Sequence, residues 1–93
     1  MFNHMVMFRF PDDDTAVAVI DKLHELADTL PQVEELVAGR DQMGADRSFD
    51  VGMLMRFADR DAFEAYNAHP VHVEAATWID EVATEAIAVD WTD

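Results

Sequence analysis

Hydrophobic and polar residues alternate from the start of the chain. In FNHMVMFRF, residues 2–10, Phe2, His4, Val6, Phe8 and Phe10 share one phase while Asn3, Met5, Met7 and Arg9 share the other. Period two with aromatic content predicts a strand. Pro11 and three aspartates end it. Ala16, Val19, Ile20, Leu23, Ala27 and Leu30 then recur at helical spacing, which predicts an amphipathic helix over 15–30, capped by Asp14 or Thr15 and stopped by Pro31. VEELVAG at 33–39 predicts a second strand, Gly39 to Ser48 a polar loop, and FDVGMLMRF at 49–57 a third strand. Its phases are Phe49, Val51, Met53, Met55 and Phe57 against Asp50, Gly52, Leu54 and Arg56. Asp59 or Asp61 suits the cap of a short helix reaching Ala68. Pro70 breaks it and opens another, with His69 near the cap and the proline at the first helical position, where a missing N–H costs nothing. Val71, Ala75, Trp78, Ile79 and Val82 form the apolar stripe of this last helix, and Trp78 is expected to anchor it on the sheet. EAIAVDW at 85–91 predicts the fourth strand.

The order β-α-β-β-α(α)-β over a single domain, residues 1–93, is the ferredoxin-like arrangement of the α+β class: a four-stranded antiparallel sheet with helices on one face. The other face keeps Met5, Met7 and Leu54, and the last strand is apolar on both phases. An uncovered apolar sheet face invites a partner. The expected partner is a second copy of the chain, sheet face to sheet face, burying on the order of 1,500 Å² or more. Chain length points the same way, since so short a domain buries only roughly 60–65% of its unfolded surface.

Charge and composition narrow the function. Twenty acids against six bases give a net charge of −14. Phosphate binding needs a basic patch and none is visible, so neither nucleic acid nor an anionic membrane is an expected partner. No apolar run approaches the roughly 18 residues of a membrane span, and no signal-peptide pattern occurs, so a cytoplasmic location is expected. Acid excess with a single lysine, Lys22, suits a high-salt cytoplasm, and a GC-rich genome depletes lysine equally well. Without cysteine, disulfides, thiolate metal sites and a Cys nucleophile are excluded.

The candidate chemistry gathers in YNAHPVHVEAATWID, residues 66–80. His72 falls near the first turn of a helix, where the dipole disfavours imidazolium, and an apolar pocket pushes the same way. A neutral imidazole accepts a proton near pH 7. Tyr66, about one turn earlier, is placed to donate a hydrogen bond to a developing enolate oxygen. The plainer alternative has His72 packing at the joint between two helices and Tyr66 bonding locally. His69 suits a cap, and the proline break spoils same-face geometry for a His69/His72 metal site, so no metal is expected. His4 alternates with apolar residues, as a buried bonded histidine or a pocket-lining one. His24 lies on a polar helix side. Met5, Met7, Met53 and Met55 fall at strand spacing and suit a core; Gly39 and Gly44 match no phosphate loop.

HMVMFRF, the proline ending the first helix, VAGRD after the second strand, FEAYNAHPVHVEAA and the closing AIAVDW together resemble the stress-responsive A/B barrel domain family, over nearly the whole chain. The most specific part is Tyr66-x-x-His-Pro-x-His72 followed by a small-residue helix. The resemblance implies a ferredoxin-like unit paired into a dimeric α/β barrel. It also implies a cleft between sheet and helices for an apolar or aromatic small molecule. In a polyketide cyclase of the family, the tyrosine and the second histidine are the acid/base pair, without cofactor or metal; the matching positions are Tyr66 and His72. By the same resemblance, ligand-binding positions are His4, Val6 and Phe8 on the first strand and Val19, Ile20 and Leu23 on the first helix. Met53 joins them. Where that cyclase has bulky aromatics, this chain has Val19, Ile20, Ala75 and Ala83, so the cavity differs in shape and the cyclase substrate is not implied. Two further readings remain beside a binding protein: a cyclase, isomerase or lyase using His72 and Tyr66, and a non-catalytic stress-protective assembly.

Overall fold

The computed structural model describes residues 1–93. Its elements are β1 (Phe2–Arg9), α1 (Asp13–Thr29), β2 (Val33–Arg40), β3 (Val51–Phe57), α2 (Arg60–Ala68), α3 (Pro70–Val82) and β4 (Glu85–Thr92). The strands form one antiparallel sheet in the order β2-β3-β1-β4, so β3 lies between the two strands that α1 connects. This is the ferredoxin-like fold that the element order predicts.

The helix starts follow from side chains that satisfy free N–H groups. Asp12 caps α1 by accepting from the Thr15 N–H at 2.7 Å, and that bond holds its carboxyl below the usual range. The cap thus falls two residues before the expected Asp14. In a run of three aspartates, only the first has extended backbone with a helical turn ahead of it. Asp59 caps α2 through the Ala62 N–H at 2.8 Å. Phe49 lies outside β3 and stacks instead under the Arg9 guanidinium, 4.2 Å from its ring centre.

The core lies between the helices and one sheet face. Phe2, Val6 and Phe8 from β1 and Val51, Met53, Met55 and Phe57 from β3 meet Ala16, Val19, Leu23, Leu26 and Leu30 along α1. These are the alternate residues of each strand and the 3–4 spacing of the helix, as a half-buried sheet and an amphipathic helix require. Trp78 is half-buried against this core and lines a groove between α1 and α3. Met53 and Met55 are core, whereas Met5 and Met7 lie on the opposite face, with Met7 39% exposed. Every residue of β4 is exposed in the single chain, so the helices leave the β4 edge of the sheet uncovered.

Candidate functional site

Pro70 has no N–H to continue the helix from α2. His69 therefore sits in extended backbone between α2 and α3 and serves both. Its own N–H bonds the Tyr66 carbonyl at 3.1 Å, closing α2. Its ring Nδ1 accepts from the Val71 N–H at 3.1 Å, opening α3. The break turns the chain so that Tyr66, in the last turn of α2, meets His72, in the first turn of α3, with ring centres 4.4 Å apart. Phe57 supports Tyr66 from the sheet at 5.1 Å between ring centres.

Two contacts fix histidine tautomers. His72 Nδ1 lies 3.0 Å from the Asn67 carbonyl oxygen. A carbonyl only accepts, so Nδ1 carries the hydrogen and the neutral ring keeps its Nε2 lone pair free. Across the sheet, His4 Nδ1 donates to the Asp90 carboxylate on β4, which leaves the second nitrogen of that ring free as well. Burial lowers the His72 pKa below the ordinary 6.5; the Asn67 bond opposes this, nearby His4 adds to it, and Asp80 opposes it. Burial pushes the Tyr66 phenol well above its ordinary value. At neutral pH the pair is a neutral imidazole and a protonated phenol, a base beside a hydrogen-bond donor.

Both rings line a cleft of about 160 Å³. His4, Val6 and Phe8 of β1 and Met53 of β3 form its sheet side, and Leu23 and Leu26 come from α1. His72, Ala76, Ile79 and Asp80 come from α3, with Ala86 on the uncovered β4. A space of about 150 Å³ lined by apolar side chains takes a molecule the size of benzene. The cleft contains no lysine or arginine; its one carboxylate is Asp80. No group of three or more His, Asp or Glu side chains converges as a metal ion needs. A larger space of about 510 Å³ lies between α1 and α3, but Lys22, Glu25 and Glu74 line it and neither ring of the Tyr66–His72 pair reaches it.

Seven of the expected site residues therefore surround one cleft: His4, Val6, Phe8, Leu23, Met53, Tyr66 and His72. Val19 and Ile20 do not. Val19 is 0% exposed, sealed in the core one turn before the cleft begins, and Ile20 packs on the core from the side. The α1 positions on the cleft are Leu23 and Leu26, three residues apart on one face. Ala76, Ile79 and Asp80 are the positions four, seven and eight residues after His72, a helical stripe visible in sequence once His72 is taken as its start.

Because the His72 value in the folded chain lies below 6.5, the native state binds fewer protons than the unfolded chain between the two values. This contribution to stability is complete above the unfolded value and is lost as pH falls through that interval. In a proton NMR titration, the His72 midpoint is expected below 6.5. Asp80→Asn is expected to lower it further, because the carboxylate favours the imidazolium. A midpoint above the ordinary value, or one that rises in Asp80→Asn, contradicts this electrostatic picture.

A sequence profile of the Stress Responsive A/B Barrel Domain family, Dabb, matches residues 2–93. A stress-response A/B barrel domain-containing protein of Arabidopsis thaliana is 25% identical in an alignment 93 positions long that covers 97% of this chain and 84% of that protein. Among solved structures, a dimeric ferredoxin-like protein of unknown function from Thermobifida fusca superposes with a TM-score of 0.85 at 26% identity, covering 99% of this chain and 90% of that one. The hydroxynitrile lyase of Passiflora edulis gives 0.87 over 97% of this chain and 90% of its own, but at 18% identity that likeness is one of fold. With the profile spanning all but the first residue and the sheet order in agreement, the chain belongs to the stress-responsive A/B barrel domain family.

Proposed function

We propose that this protein binds an uncharged, one-ring aromatic carbonyl compound in the cleft and moves a proton on it, with His72 as base and Tyr66 as hydrogen-bond donor. The carrying observation is the 4.4 Å Tyr66–His72 contact at an apolar cleft with the His72 Nδ1 already committed to Asn67. His72 Nε2 takes the proton from the carbon beside the carbonyl. The electron pair of that C–H bond moves onto the carbonyl oxygen, where the Tyr66 O–H stabilises it. The imidazolium so formed is supported by the Asn67 carbonyl and by Asp80, the same two groups that oppose the lowering of its pKa. Ligand size follows from the cleft volume, and ligand charge from its lining. A carboxylate would face Asp80 with no cation to pair it, at a cost of several kcal/mol if desolvated. The chemistry needs no cofactor and no metal.

We also infer that the working unit is a homodimer joined through the sheet faces. Met7, Val37, Ile87, Val89 and Trp91 stand exposed on the face away from the helices, with Met5 and Leu54 between them. The Thermobifida fusca relative is described as dimeric. No helix is long and apolar enough to cross a membrane, so a bilayer-spanning helix does not account for this apolar surface.

Two measurements bear on these points. In D₂O, the methyl protons of acetophenone are expected to exchange faster with the protein than with buffer alone. The gain should vanish in His72→Ala with the fold retained by circular dichroism, and fall by about 10²–10³ in Tyr66→Phe. Exchange that survives His72→Ala, or a thermal shift with benzoate as large as with acetophenone, contradicts the proposed chemistry. Sedimentation equilibrium at micromolar concentration is expected to return twice the 10.5 kDa chain mass; a monomer mass contradicts the dimer.

A further inference from the structure

The carboxylate of Asp80 lines the cleft and forms no ion pair within the chain. Its neighbours there are engaged. His72 is held by the Asn67 carbonyl and His4 by the Asp90 carboxylate. In the proton transfer Asp80 acts on His72 only at a distance, through its charge. Nor does the fold favour an acid at this position. Asp80 falls in the last turn of α3, at the negative end of the helix dipole, and no basic residue stands in that turn to offset it. His72, Ala76 and Asp80 follow one another at four-residue steps and form one row along α3. Asp80 thus stands two turns, roughly 12 Å of helix axis, beyond His72. The middle member of the row is alanine, and Ala86 of β4 lines the same cleft. Two methyl groups where longer side chains would fill the space leave room between the base and the carboxylate.

We infer that the ring of the ligand carries a hydroxyl or amino group on the side away from its carbonyl, and that Asp80 selects for the O–H or N–H of that group. This deepens the proton-transfer reading above and rests on it. With the carbonyl at Tyr66 and the C–H bond at His72, the ring lies along the row over Ala76, and its far side comes to Asp80. An ionised carboxylate only accepts hydrogen bonds. A donor there makes a charge-assisted bond, stronger than one between neutral groups. A methyl ether at the same place offers the carboxylate only lone pairs. Asp80 is therefore a specificity-determining residue, matched to an uncharged donor as the rest of the lining is matched to an apolar ring. It is exposed, so water competes for it. The discrimination expected is about tenfold, far below that of a sealed polar pocket.

The test compares 4-hydroxyacetophenone, 4-aminoacetophenone and 4-methoxyacetophenone, with dissociation constants from NMR titration of the wild-type chain and of Asp80→Ala. Alanine is a strong helix former, so α3 is expected to persist, with circular dichroism as the check. At pH 7 the His72 ring is expected to be neutral in both proteins, so its charge does not enter the comparison. The wild type is expected to bind at least one donor ligand about tenfold more tightly than the methoxy compound. The tighter of the two names the group. In Asp80→Ala that preference is expected to disappear, with the methoxy compound bound no more weakly than before. Equal binding of all three ligands to the wild type, or a preference that persists in Asp80→Ala, overturns the inference. Exchange of the acetophenone methyl protons that still depends on His72 then leaves the proton-transfer reading standing. A wild-type chain that binds none of the three overturns both.

Discussion

Pro70 cannot donate a backbone hydrogen bond, and the candidate site depends on that one deficiency. A continuous helix through residues 60–82 would place positions 66 and 72 about 600° of rotation apart, a net separation of about 120°, on different faces. The break at His69–Pro70 lets α3 start in a new direction, held by His69 bonding to both helices. The exposed carbonyl of Asn67, left over near the end of α2, becomes the acceptor for His72. A loose helix end thus supplies the group that selects the imidazole tautomer. The same interruption that costs α2 its continuation brings an aromatic base and a phenol into contact.

The sheet contributes the asymmetry in which that contact sits. Helices α1 and α3 cover β1 and β3 on one face but leave the β4 edge open, and the cleft lies where the cover runs out. β4 consequently faces two ways. Its helix-side residues, Ala86 and Asp90, stand at the cleft and on His4, while Ile87, Val89 and Trp91 project from the opposite face. A contact made by a second copy on that outer ridge would steady the strand that closes one side of the cleft. The cleft and the outer apolar ridge therefore share one edge strand.

Short-range patterns made most of the fold legible. Period two in β1 and β3, helical spacing in α1 and the Pro31 and Pro70 stops each depend on neighbouring residues alone. Tyr66 and His72 were legible because both lie within one turn or so of the proline that juxtaposes them. What depended on rotation or on distant pairing was not. On α1, Val19 and Ile20, expected as ligand contacts from the family resemblance, lie in solid core and on its flank, while Leu26, absent from the stripe read from spacing, reaches the cleft. The His4–Asp90 bond requires the register of β1 with β4, which joins residues far apart in sequence. Asp80 was passed over because an acid on a helix surface looks solvated until the helix is docked.

The orientation of one imidazole tests this account most directly. Nitrogen NMR of the ¹⁵N-labelled protein at neutral pH separates protonated from bare ring nitrogens and identifies each. His72 is expected to be neutral, with hydrogen on Nδ1 and a bare Nε2. Hydrogen found on Nε2, or a doubly protonated ring, would mean that the Asn67 carbonyl does not hold the base as described, and the proton-transfer chemistry assigned to the cleft would be contradicted.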